Sequence, residues 1–130
     1  MTSLEIRSNT TSSSIIFRTD EPPDADYEGI EFICEVQGAG FRGAIGSDTG
    51  YRNSPSVFFH GIASEWLGWE GEKIWRSEFE VELKATSDRC GHITLFVTLR
   101  TYQGEELSIP VSLEAGALAD LAMRAEKIFG

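Results

Sequence analysis

Cys90 and His92 stand two residues apart at a turn, with Asp88 two residues earlier, so a thiol, an imidazole and a carboxylate fall within one short stretch. Such a trio can activate a nucleophilic cysteine, provided an electropositive setting lowers the pKa of the thiol. Arg89 is the only local cation, which argues against a thiol enzyme. Glu78, Glu80 and Glu82 alternate along one predicted strand and form a carboxylate ladder with a spacing of roughly 7 Å. Two such groups have the composition of a glycosidase acid and base. An open strand face offers no cleft for a sugar, so a solvated edge or a negative docking surface suits them better. His60 and His92 belong to no HExxH-like spacing, and Cys34 and Cys90 form no CxxC; neither a metal nor a cofactor is expected. No GxSxG elbow supports a Ser-His-Asp arrangement. The glycines of Gly38-Ala39-Gly40-Phe41-Arg42-Gly43 lack a Walker lysine and the dinucleotide pattern, so nucleotide binding is discounted.

The elements that must position these residues are readable from periodicity. Lys73 to Ala85 alternates with Trp75, Phe79, Val81, Leu83 and Ala85 on one face, and the glutamate ladder on the other. Ile93, Leu95, Val97 and Leu99, then Leu107, Ile109, Val111 and Leu113, continue the apolar face in two further strands. A register with Leu83 opposite Leu95 and Glu78 across from Arg100 keeps those faces together. Tyr102-Gln103-Gly104 suits a tight hairpin loop, and Pro110, which lacks an N–H, places its strand at an edge or has that position facing solvent. Leu118, Leu121, Ala122, Ala125, Ile128 and Phe129 form one stripe of a C-terminal helix, with Ser112 or Glu114 near its start. Upstream, residues 3–8, 14–19, 30–36 and 41–45 read as strands. Ser54 followed by Pro55 starts a helix that is predicted to reach about Leu67.

Composition narrows the activities. At 130 residues the chain is predicted to be a single domain over 1–130, large enough for one core. A formal charge of −10 argues against binding nucleic acid through its phosphates and fits either of two readings, solubility alone or complementarity to a basic protein partner. The loop from Asp20 to Glu28, with Asp24 and Asp26, is its most acidic stretch. The polar stretch Met1–Ser13 has no apolar signal region, and no run approaches the roughly 20 residues of a membrane span. A cytoplasmic protein with free thiols and no membrane contact is the expectation.

The tryptophan-glycine connection at Trp66-Leu67-Gly68-Trp69, the stretch Ala85-Thr86-Ser87-Asp88-Arg89-Cys90-Gly91-His92-Ile93-Thr94-Leu95, and Leu113-Glu114-Ala115-Gly116-Ala117-Leu118 entering the last helix carry a resemblance. Over roughly residues 57–129 the chain resembles a family of small uncharacterised bacterial proteins, a domain of unknown function. The resemblance implies a bacterial origin and the strand-strand-strand-helix order, and brings no catalytic residues.

Together these readings predict an α+β fold, a mainly antiparallel sheet of six or seven strands with one mid-chain and one C-terminal helix packed on it. The expected function is a non-enzymatic protein-binding module, of the immunity or inhibitory type, that presents an acidic surface (Glu78, Glu80, Glu82, Asp24, Asp26) to a basic partner. One alternative is a small-molecule-binding or enzymatic pocket between the first helix and the sheet, lined by His60, Trp66, Trp69 and Trp75. Another is a structural homodimer that pairs edge strands.

Overall fold

The computed structural model describes residues 2–19, 29–50 and 54–130. Within them the chain runs through four strands and a helix, then repeats that order. The first unit comprises β1 (Thr2–Arg7), β2 (Ser14–Thr19), β3 (Glu31–Gly38), β4 (Phe41–Asp48) and α1 (Pro55–Ser64). The second comprises β5 (Lys73–Arg76), β6 (Val81–Ser87), β7 (His92–Arg100), β8 (Glu106–Glu114) and α2 (Leu118–Phe129), the last entered through a short 3-10 turn. Each set of strands is an antiparallel meander with neighbours in sequence order. The α+β class therefore holds, but the sheet is two sheets of four strands, not one of six or seven.

The extra strand arises inside Lys73–Ala85. Ser77 and Val81 close a tight turn, with the Ser77 amide donating to the Val81 carbonyl (2.9 Å) and the Val81 amide donating to Ser77 Oγ (3.0 Å). The reversal preserves parity, so Trp75 and Val81 remain on the inner face and the alternation conceals the turn between them. The β6–β7 register also differs from expectation by two residues: Leu83 faces Val97 and Ala85 faces Leu95. A two-residue slip leaves each side chain on its own face, so apolar patterning alone cannot distinguish the two registers.

Two sheets form because β4 lies across the strand ends of the second sheet instead of joining it. The Glu78 amide donates to the Asp48 carbonyl, Ser47 Oγ donates to Ser77 Oγ and Glu80, and Gly43 approaches Leu107. A Cβ on Gly43 would sit 2.8 Å from Leu107 Cδ2, so β4 runs close against the end of β8 here and a larger residue would make the Leu107 methyl shift. The helices cover the open side. Ser56 Oγ at the start of α1 donates to the Gly130 carbonyl beyond α2 (2.7 Å), and His60 meets Glu126 (3.1 Å), which fixes the two helices as antiparallel. Ser54 caps α1 by accepting from the Ser56 amide, as its sequence predicts. The helix stops at Ser64, one turn before Leu67, and the carboxyl-terminal residues of that stretch form a separate turn. The predicted stripe of α2 is buried at all six positions. Neither Ser112 nor Glu114 caps it through a side chain.

The buried apolar side chains of both sheets and both helices form one continuous cluster. At its centre Phe32 packs edge-on to Phe17 and Phe129 and tilts against Trp75, so two strands of one sheet, a strand of the other and α2 meet in four rings. Cys34 is buried beside them, and desolvation, then the nearby Glu35 charge, pushes its thiol far above the ordinary range. Among the described residues no helix is long and apolar enough to cross a membrane.

Candidate functional site

The turns at one end of the second sheet carry an exposed aromatic pair. Phe79, in the β5–β6 turn, stacks on Tyr102, in the β7–β8 turn, with ring centroids 4.6 Å apart and planes within 10°. Phe79 is 41% exposed and Tyr102 is 80% exposed. The sequence reading set Phe79 on the inner face; the Ser77–Val81 turn instead lifts it out. The Tyr102 loop is ordered by its own bonds: the Thr101 amide donates to the Glu105 carbonyl, the Glu105 amide to Thr101 Oγ1, and the Gly104 amide to the Thr101 carbonyl. Gly104 adopts φ +91°, the left-handed conformation the hairpin reading requires.

Carboxylates rim this pair. Residues 78–82 and 100–106 contain Glu78, Glu80, Glu82, Glu105 and Glu106 against a single cation, Arg100. The five are not equivalent, and the ladder does not exist as read. Glu78 lies in the turn and is exposed, and Glu80 is half-buried and accepts from Ser47 Oγ (3.0 Å). Of the three ladder residues only Glu82 sits within a strand, where Arg76 (2.7 Å) and Arg100 (3.2 Å) neutralise it. Burial pushes the Glu82 carboxyl upward, but the two arginines outweigh it and hold the group below its usual range. Arg100 also donates to Glu106 (2.7 Å). Asp24 and Asp26 lie outside the described residues.

The alternative pocket residues point to different places. Trp69 and Trp75 are buried, Trp66 is 58% exposed, and His60 lies on the solvent side of α1 against Glu126. Lys73 Nζ lies 5.7 Å from the Trp69 ring centre, and the Trp69 indole N–H has no hydrogen-bond partner among the described residues. Phe96, an apolar residue on the outer face of the second sheet, is half-buried under Lys84, whose Nζ lies 5.2 Å from its ring centre.

The Cys90 turn does bring its polar groups together. Asp88 Oδ1 accepts the Cys90 amide (2.7 Å) and the His92 amide (3.1 Å), while Asp88 Oδ2 meets His92 Nδ1 at 2.6 Å. The Cys90 amide above all, then His92, holds the Asp88 carboxyl below its usual range. Asp88, by hydrogen bond and charge, and then Glu114 raise the His92 imidazole above its ordinary value. Glu114 Oε2 lies 4.0 Å from His92 Nε2, so both ring nitrogens face carboxylates. Carboxylates at both ring nitrogens favour the protonated imidazole, which works against its serving as a base for the Cys90 thiol. Among the described residues no group of three or more His, Cys, Asp or Glu side chains could hold a metal ion.

Sequence reasoning missed a third cluster. On the outer face of the first sheet the Glu35 carboxylate is covered by Arg18, Arg42 and Gln37, which bond to it. It is shielded by a thin layer of flat side chains rather than sunk in the core. The Arg42 hydrogen bond first, then that of Gln37, holds the Glu35 carboxyl below its usual range. Only the pairing of β2, β3 and β4 places Arg18 and Arg42 beside Glu35, so spacing along the chain carries no signal for it.

Comparison of the sequence with protein-family models matches residues 6–130 to DUF6228, a family of unknown function. The match spans nearly the whole chain, including β2, β3 and β4 beyond the 57–129 resemblance, and the chain belongs to this family. Comparison with curated proteins finds no match.

Proposed function

We propose that this protein is a non-enzymatic binding module whose acid-rimmed aromatic tip, Phe79 and Tyr102 with Glu78, Glu80, Glu105 and Glu106, docks a basic protein partner. The observation that carries the reading is the exposed stacked pair. Large aromatic side chains left in solvent on ordered turns are the residue type and setting of interface anchors. Stacking and the bonded Thr101–Glu105 loop fix the rings before binding, which lowers the entropy cost of docking. The glutamates attract Lys and Arg, and a cation that reaches the tip can also lie over a ring face. Immunity or inhibition, in which one protein occludes another, is the finer form of this proposal.

Affinity capture from a lysate of the source organism tests it, with wild type, Tyr102→Ala and the pair Glu78→Gln/Glu105→Gln as baits. These side chains are exposed, so the variants retain the fold. Truncating a hot-spot tyrosine costs about 2 kcal/mol, a roughly 30-fold loss of affinity. The glutamate pair slows association and flattens its salt dependence. Capture of the same proteins by all three baits would contradict the proposal.

A further inference from the structure

We infer that β5 is a self-association edge, and that two copies of this chain pair β5 with β5 antiparallel about a twofold axis at Ile74 to form one eight-stranded sheet. The starting observation is which sheet edges are occupied. Of the four outer strands, β1 receives Arg124 at its Glu5 carbonyl (2.9 Å), β4 receives the Glu78 amide at Asp48, and β8 exchanges bonds with Ser8 and Asn9 through Ser112. Among the described residues no backbone or side-chain bond reaches the outward groups of β5.

Hydrogen-bond parity tells which groups those are. Ser77 and Val81 form a bonded pair, and the β5–β6 register continues it, so Trp75 with Leu83 and Lys73 with Ala85 are bonded pairs. The N–H and C=O groups of Ile74 and Arg76 must then point away from β6 into the open edge. In this phase Ile74 can exchange bonds with Ile74 of a second copy, and Arg76 with that copy's Glu72.

Side chains set the register. Glu72, Ile74 and Arg76 are exposed on one face, with Ile74 48% exposed, while Trp75 faces the core. Centring the pair on Ile74 puts Ile74 against Ile74 and each Glu72 against the other copy's Arg76. Edge strands usually carry charge to repel a second strand. Here the charges on either side of Ile74 have opposite sign, so the edge is complementary to itself. Arg76 already meets Glu82 across β6 (2.7 Å), and the other copy's Glu72 extends that alternation of charge by one strand. The aromatic tip is separate: Phe79 leans from the β5–β6 turn toward the β7–β8 turn, away from this edge.

Sedimentation of the full chain across a concentration series reads the association. Wild type is expected to rise from 14.4 kDa toward twice that mass as concentration increases. Glu72→Arg and Arg76→Glu singly are each expected to weaken dimerisation at least tenfold, and the double swap Glu72→Arg/Arg76→Glu to restore it. Because Arg76→Glu also meets Glu82 within the chain, a second variant is Ile74→Cys in a Cys90→Ser background. Under mild oxidation it is expected to form a disulfide-linked dimer, since directly opposed residues of a bonded pair lie within disulfide reach. A wild-type chain that stays monomeric at the highest concentration, a dimer indifferent to both single swaps, or an Ile74→Cys variant that stays unlinked would each overturn the inference. The tip variants Tyr102→Ala and Glu78→Gln/Glu105→Gln are expected to leave the dimer intact, so the two proposals fail independently.

Discussion

Replacing Phe32 with alanine removes the ring in which both sheets and α2 meet. Its centroid lies 5.9 Å from that of Phe17, 5.7 Å from Phe129 and 6.3 Å from Trp75. A buried Phe→Ala change costs about 3–5 kcal/mol, and the upper half of that range applies where several elements line the void and none can collapse alone. An unfolding entropy of about 2.1 cal/mol/K per residue gives about 0.27 kcal/mol/K for a chain of 130 residues. A loss of about 4 kcal/mol therefore lowers Tm by about 15 °C. Two native reporters sit in opposite halves of the chain: the tryptophans at 66, 69 and 75, and the buried thiol of Cys34 in β3. In a Cys90→Ser background, denaturant titrations are followed by tryptophan fluorescence and by reaction of Cys34 with a thiol reagent. Both probes are expected to give one midpoint in the parent and to move together in Phe32→Ala. A Cys34 transition that shifts while the fluorescence transition stays in place would refute the reasoning, because the sheets would then unfold as separate units.

Two pH effects follow from the charged clusters. Glu35 has a lowered carboxyl pKa in the folded protein, so its contribution is fully present above the ordinary carboxylate value of about 4.3 and is lost as pH falls through the lower, folded value. Glu35→Gln is expected to cost about 1 kcal/mol at neutral pH, modest because Arg42 is largely exposed, and to remove that part of the acid sensitivity in urea titrations at pH 7 and pH 3. His92 runs the other way. With its folded value raised, the Asp88–His92 contribution is fully present below about pH 6.5 and is lost as pH rises through the folded value. In an NMR titration the His92 ring resonance is expected to have its midpoint above about 6.5 and to return toward it in Asp88→Asn; an unchanged midpoint would contradict the ion pair.

Much of the architecture was legible because burial leaves a period. The stripe of α2 and the inner faces of β6, β7 and β8 follow from sequence alone, since each inward residue must be apolar. Pro110 does mark an edge strand, and Gly104 does take the left-handed conformation. Features that leave the period intact were hidden. The four-residue reversal at Ser77–Glu80 preserves parity, and so does the two-residue slip between β6 and β7. The division into two sheets rests on tertiary contacts at Gly43, Ser47 and Asp48, polar or small residues that carry no periodic signal. For the site, the acidic character around Glu78 was readable, but its aromatic centre was not. Phe79 alternates as a core residue does, and Tyr102 lies 23 residues away in another turn. Glu82 was read as part of a free ladder, because its two arginine partners depend on the register.

Photo-crosslinking in cells of the source organism compares p-benzoylphenylalanine placed at position 102 with the same group at position 123. Met123 is likewise exposed, on α2 away from the tip. The reading of the tip as a docking surface requires a discrete adduct at position 102 to a protein of basic isoelectric point, weakened when Glu78 and Glu105 become glutamine. Adducts that are equal at both positions, or absent at 102, would contradict it.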